Sequence, residues 1–159
     1  MSDVLNILVV CSGNTCRSPV ATAVLLNRLL DRGKWCVSSA GTRAILGQRA
    51  TQYGVDLMNE RGIDLSLHRS HALCLDDVVW AHLLLCMERE HVDMVNGRFP
   101  PYIYKTHLLS NMVDEVDDVV DPFGGCLQDY EMMIAHVVRL IDNGLERIVE
   151  LARVNGRLS

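Results

Sequence analysis

Residues 5–30 constrain the fold of this chain more than any other stretch. Residues 5–10 form a largely apolar run of strand length. Cys11-Ser12-Gly13-Asn14-Thr15-Cys16-Arg17-Ser18 follows, short and polar, and Pro19 then opens a mostly apolar segment over 20–30. Proline is favoured in the first turn of a helix, so the order is strand, tight loop, buried helix. A helix N-terminus presents unpaired N–H groups and a partial positive charge, a natural seat for an anion. The loop carries a cysteine at its first position and an arginine six residues later, which puts a nucleophile and an anion clamp in one cradle.

The rest of the chain repeats the alternation. Residues 35–40 read as a second strand, followed by a loop from Gly41 to Gly47. Residues 48–61 fit a helix stopped by Gly62, 63–68 an extended link, and 72–77 a short helical turn. A third strand centres on Leu84, and residues 88–96 form a helix closed by Gly97. Tyr102, Ile103 and Tyr104 are expected to form the fourth strand. Residues 112–121 hold five acidic residues and no basic one, which reads as a solvated loop, and Asp121-Pro122-Phe123-Gly124-Gly125 as a turn. In the last helix, 128–153, Met133, Val137, Leu140, Ile141, Leu145, Ile148 and Ala152 mark one face, and Gly144 is expected to weaken it locally. Alternating strands and helices imply an α/β fold with a parallel sheet covered on both faces, in a single domain spanning 1–159. Ligands bind at the carboxyl ends of the strands of such sheets, which is where the loop after residue 10 lies.

A net charge of −5 argues against a general nucleic-acid binder. No apolar run reaches the length of a membrane span, and the N-terminal residues lack the basic start of a signal peptide, so the expected location is the cytoplasm. Six cysteines stand at 11, 16, 36, 74, 86 and 126, with no Cys-x-x-Cys pair. They are expected to be free thiols, and Cys36, Cys74, Cys86 and Cys126 to be small buried apolar groups.

The chemistry of Cys-x5-Arg follows from its residue types. A thiol attacks as the thiolate, and loop N–H groups, a helix N-terminus and Arg17 would all lower the pKa of Cys11. The same donors would hold phosphate oxygens, with the planar fork of Arg17 suited to two of them. Gly13 lets the backbone approach a ligand, and Asn14 tolerates the left-handed conformation that turns N–H groups inward. Attack on phosphorus would leave a thiophosphate, and the leaving group then needs an acid. Asp121, on a turn stiffened by Pro122, is the candidate, and as a carboxylate it would activate water for the second step. No metal or cofactor is required, because Arg17 and the amides supply the charge stabilisation.

At these residues the chain resembles the low-molecular-weight protein-tyrosine phosphatase family, in its bacterial form and with features of its protein-arginine phosphatase branch. The loop Cys11 to Pro19 carries the likeness, with Ser39-Ala40-Gly41-Thr42 and the later Gly47, Gly62-Ile63-Asp64, His68-Arg69-Ser70, Met87-Glu88-Arg89-Glu90-His91 and Asp121-Pro122-Phe123. The resemblance implies a flavodoxin-like three-layer sandwich around a four-stranded parallel sheet. It implies Cys11 as nucleophile, Arg17 as phosphate clamp and Asp121 as general acid. Ser12, Gly13, Asn14, Thr15, Cys16 and Ser18 would form the phosphate loop, Ser18 would hydrogen-bond the Cys11 sulfur, and Asn14, Ser39 and His68 would hold the loop's shape. Cys16 matches a second loop cysteine that can trap an oxidised Cys11 as a reversible disulfide.

The implied substrate is a phosphorylated protein, and the residues point two ways. Ile45 and Phe123 would make apolar walls for a phosphotyrosine ring, and the 42–47 loop resembles tyrosine phosphatases linked to polysaccharide export, whose partner is a tyrosine kinase. Arg43 at the mouth would suit an acidic peptide. Thr15 and the Asp-Pro-Phe-Gly-Gly turn resemble the arginine phosphatases, with proteins modified by an arginine kinase as partners. Phosphotyrosine is the expected substrate and phosphoarginine the alternative. A related arsenate reductase would need two further cysteines on a mobile segment, and only Cys86 stands near the first position. A phosphate-sensing module without catalysis would be marked by loss of Cys11, Arg17 or Asp121, and all three are present.

Overall fold

The computed structural model describes residues 4–158; residues 1–3, part of the N-terminal stretch read above, and residue 159 lie outside it. The chain runs β1 (Leu5–Cys11), α1 (Arg17–Leu29), β2 (Trp35–Gly41), α2 (Gln52–Glu60), α3 (Leu75–Trp80), β3 (Leu83–Cys86), α4 (Arg89–Arg98), β4 (Thr106–Leu108) and α5 (Leu127–Gly156). The four strands pair in parallel in the order β2-β1-β3-β4. This is the flavodoxin-like α/β order, in which the chain leaves β1 toward one neighbour and returns on its other side. The crevice at that switch point opens at the carboxyl end of β1, beside Cys11.

Strand periodicity divides the core. Ile7, Val9 and Cys11 face one side of the sheet, where they pack with Val20, Val24 and Leu25 of α1, Leu57 and Met58 of α2, and the apolar stripe of α5. Leu8 and Val10 face the other side and meet Val78 of α3 and Val95 of α4. Three layers result, with the sheet in the middle.

Several element boundaries differ from the sequence reading, for local reasons. The segment 100–105 is a 3-10 helix and not the fourth strand. Pro100 and Pro101 lack the N–H a ladder needs and hold the φ of a tight helical turn, so the pairing strand begins at Thr106. Helix α1 starts two residues before Pro19, which occupies a first-turn position whose N–H has no intrahelical partner to lose. Helix α2 starts at Gln52 and not at 48, because the backbone groups of Gln48 and Thr51 are used elsewhere: Gln48 exchanges bonds with Ser70, and the Thr51 N–H donates to the Thr15 carbonyl at 2.9 Å. The turn expected over 72–77 falls at 75–80, and α4 continues through Gly97 to Arg98.

Gly144 has a packing role inside the continuous helix α5. It is buried, and a Cβ there would stand 2.6 Å from the Met112 Cβ and 3.2 Å from the Met112 carbonyl, so its hydrogen is what lets α5 pack against the 109–113 turn. All six cysteines are free thiols as expected, but the burial expected of Cys36, Cys74, Cys86 and Cys126 holds only for Cys86. Cys36 is exposed near the start of edge strand β2, and Cys74 and Cys126 are exposed at the N-caps of α3 and α5. Among the described residues no helix is long and apolar enough to cross a membrane.

Candidate active site

The loop at the end of β1 turns tightly because Asn14 takes a left-handed conformation, φ 56°. Its shape is then locked by polar contacts. The Asn14 Nδ2 donates to Ser18 Oγ at 2.8 Å and to Ser39 Oγ at 2.9 Å, and its Oδ1 accepts from the His71 N–H at 3.1 Å. The Asn14 carbonyl accepts from His68 Nε2 at 2.7 Å, which places a proton on that nitrogen. The expected network of Asn14, Ser39 and His68 is therefore assembled, with His71 added. Burial lowers the His68 pKa, so its neutral form is favoured.

Cys11 is 2% exposed, and its sulfur lies 2.9 Å from Ser18 Oγ and 3.3 Å from the Asn14 N–H. Once Cys11 is the thiolate it has no proton to give, and the Ser18 hydroxyl is then the donor to the sulfur. Two influences compete there. Burial pushes the thiol pKa up, against the Ser18 hydroxyl and amide, the Arg17 guanidinium and the Asn14 amide, which all pull it down. The expectation of a lowered pKa is corrected here: the donors are in place, but desolvation outweighs them.

Arg17 is almost wholly buried. Its Nη1 donates to the Val119 carbonyl at 2.9 Å and pairs with Glu88, the N-cap residue of α4, while Nη2 stands 3.4 Å from Asp121 Oδ2. Three acceptors aim the guanidinium into the cradle, and one of them belongs to the candidate acid. The carboxylate of Asp121 is about half exposed, and its Oδ1 accepts from the Phe123 N–H at 3.1 Å, an Asx turn that fixes the side chain. Cys11, Gly13, Asn14, Thr15, Cys16, Arg17, Asp121 and Phe123 all line one cavity of about 40 Å³.

The other candidates, Ser12, Ser18, Ser39, Ile45 and His68, do not line that cavity. Ser39 and His68 act behind the loop. Ser12 turns away, its Oγ 2.8 Å from His91 Nε2. His91 Nδ1 accepts from the Glu88 N–H at 3.1 Å, so Nε2 carries the proton of the neutral ring and donates to Ser12. Ile45 does not line the cavity; its side chain is exposed, and its carbonyl accepts from the Ser70 hydroxyl. Arg43 does not stand free at the mouth, because it pairs with Glu90 at 2.6 Å. Cys16 is buried, its sulfur 3.6 Å from the Tyr130 hydroxyl, whose pKa burial pushes up to about 12. Cys11 and Cys16 are both free thiols. Cys86 is fully buried within β3.

Glu88 and His91 entered the sequence reading only within the matching 87–91 stretch, with no role attached, and the Val119 carbonyl did not enter it. A signal existed for two of them: Glu88 and His91 follow directly on β3, whose carboxyl end borders the switch point.

The match to known proteins covers most of the chain. A family model described as low molecular weight phosphotyrosine protein phosphatase matches residues 6–155. A protein-arginine-phosphatase of Geobacillus stearothermophilus is 39% identical over 143 residues, 89% of this chain and 95% of that protein. A probable low molecular weight protein-tyrosine-phosphatase, EpsP, of Ralstonia nicotianae is 35% identical over 142 residues, 89% of this chain and 94% of that protein. The solved structure of the YwlE arginine phosphatase from G. stearothermophilus superposes with a TM-score of 0.85 at 37% identity, covering 92% of this chain and 94% of that one. With a family model matched over residues 6–155 and relatives 35–39% identical over 89% of its length, the chain belongs to the low molecular weight phosphotyrosine protein phosphatase family.

Proposed function

We propose that this single-domain protein is a cysteine-dependent phosphoprotein phosphatase that acts on phosphotyrosine in the cytoplasm. The observation that carries the reading is one small cavity lined by Cys11, Arg17 and Asp121 together. Arg17 and the loop amides hold the phosphoryl oxygens. Cys11 reacts as the thiolate, its proton having passed to solvent, and its sulfur attacks phosphorus in line with the phenolic oxygen. The P–O bond breaks, and Asp121, carried as the acid, gives that oxygen its proton. A water then yields a proton to the Asp121 carboxylate and attacks phosphorus; the P–S bond breaks, and thiolate and phosphate are released. Arg17 and the amides stabilise charge in both steps, and neither step calls on a cofactor. Phe123, exposed at the mouth, offers a flat apolar wall to an aromatic ring. Similarity to EpsP, and to the Erwinia amylovora protein AmsI named as a probable tyrosine phosphatase, supports this substrate; the partner proposed with it, from the likeness of the 42–47 loop, is a tyrosine kinase of polysaccharide export.

A second reading, phosphoarginine, is favoured by Thr15. Its side chain lies beside the cradle and its hydroxyl suits a guanidinium better than a ring. The relative at 39% identity is named a protein-arginine-phosphatase. Phosphotyrosine and phosphoarginine peptides turned over side by side decide between the two, with Thr15→Ile beside the wild type. A wild-type preference for phosphotyrosine that Thr15→Ile leaves in place supports the first reading; a preference that moves toward phosphotyrosine on substitution supports the second. Cys11→Ser must abolish turnover of either, or the sulfur is not the nucleophile.

A further inference from the structure

The larger cavity near the site is not the one that holds the sulfur. A cavity of about 510 Å³ lies between the 120–125 turn and the first turns of α5. It shares Asp121 and Phe123 with the catalytic cradle, so the two spaces adjoin across the turn that carries the acid. Its walls include Val120 (75% exposed), Phe123 (72%) and Met132 (65%). Three large apolar side chains left to water in one concave patch mark a contact surface more often than chance exposure.

Carboxylates outnumber cations around this cavity. Asp129 lines it, its Oδ2 accepting from the Cys126 N–H at 2.8 Å, and the carboxylate is exposed. Glu115 and Asp117 lie near enough to act on His136, which also lines the cavity. Burial lowers the His136 pKa, so at neutral pH the ring adds no positive charge. Arg139, which also acts on His136, is held by Glu115 through two bonds of 2.9 and 2.8 Å, so that pair adds no net charge and Asp117 and Asp129 are left as the acidic groups. An apolar trough with an acidic rim fits a side chain that has a hydrocarbon stem and a positive head. Methionine adapts to such stems, because it is unbranched and polarisable.

We infer that this cavity is a second substrate subsite, taking a lysine or arginine side chain that flanks the phosphorylated residue. The inference rests on the phosphoprotein reading above and names the sequence class of its substrate. The stem of the flanking residue lies along Phe123 and Met132, and its head meets Asp129. A glutamate at the same place brings a second carboxylate against Asp129 and is rejected.

The test is a panel of phosphotyrosine peptides with lysine, alanine or glutamate at each of two positions on either side of the phosphotyrosine. For each enzyme variant, kcat/KM is taken relative to that of an aryl phosphate, which reports on the cradle alone. The expected result is a lysine-over-glutamate preference of about tenfold or more at one position. Met132→Lys places a positive charge on an exposed wall and is expected to bring that ratio to within about twofold, with Asp129→Asn moving it the same way. Equal turnover across the wild-type panel, or a ratio that survives both substitutions, overturns the proposal. So does a dimer in sedimentation that Met132→Lys dissociates, since a second copy would then fill the cavity. Failure of the parent reading shows itself separately, as turnover of the aryl phosphate with none of any phosphopeptide, and takes the subsite with it.

Discussion

Removing the Ser18 hydroxyl separates the two influences on the nucleophile. In Ser18→Ala the sulfur loses a donor at 2.9 Å while remaining as buried as before. A hydrogen bond to a charged group contributes about 1.5–3 kcal/mol, and one pKa unit corresponds to about 1.4 kcal/mol, so the thiol pKa should rise by about 1–2 units. Burial already holds the wild-type pKa above the ordinary thiol range. At neutral pH both proteins therefore sit on the acid side of their titration, where the thiolate fraction scales with the pKa difference. Turnover of an aryl phosphate should fall about 10- to 100-fold at pH ~7 and recover as pH rises toward the new pKa.

The assay is the pH dependence of thiolate ultraviolet absorbance and of inactivation by iodoacetamide, alongside kcat/KM over the same range. Ser39→Ala is the control, because it removes the other acceptor of Asn14 Nδ2 without touching the sulfur. It should cost about 1 kcal/mol of stability and leave the thiol titration almost where it was. If Ser18→Ala and the wild type titrate together, or if the lost activity does not return at high pH, the hydroxyl does not support the thiolate and the donor assignment is wrong.

Other perturbations address the acid, the loop and the histidines. Asp121→Ala should slow phosphoryl transfer by about 10²–10⁴-fold for alkyl or phenyl esters and much less for nitrophenyl esters; equal losses across leaving groups would remove Asp121 from that role. Gly41→Ala would put a Cβ 2.4 Å from the Ser12 carbonyl and 3.1 Å from the Asn14 Cβ, so thermal melts should show about 1–3 kcal/mol of destabilisation together with loss of turnover; an unchanged Tm with full activity would refute the close approach. His68, His82, His91, His107 and His136 all have pKa values lowered, chiefly by burial. The unfolded chain then binds more protons than the native one, so their contribution is whole above about pH 6.5 and is lost as pH falls through the depressed native values. Tm should be lower at about pH 5 than at about pH 7.5, and an equal or higher Tm at the acid pH contradicts the direction.

What the sequence disclosed about the site was set by how far apart the partners lie along the chain. Cys11, Asn14, Arg17 and Ser18 fall within one strand–loop–helix junction, where strand periodicity and loop chemistry suffice to place them. Glu88 and His91 meet Arg17 and Ser12 across separations of 71 and 79 residues, which no local pattern encodes. The 102–104 segment misled for the opposite reason. Its β propensity is real, but the two prolines before it decide the backbone and the strand forms just beyond. Gly144 looked costly by helix propensity, yet the neighbour that requires it, Met112, lies on another element. The same division explains the nucleophile. Its donors are sequence neighbours and could be counted in advance. The burial that opposes them comes from the packing of α1, α2 and α5 around the end of β1, and only the folded chain supplies it. The reactivity of Cys11 is thus a contest between a local, readable attraction and a non-local desolvation, and substitutions in the distant helices should tune it as surely as substitutions in the loop.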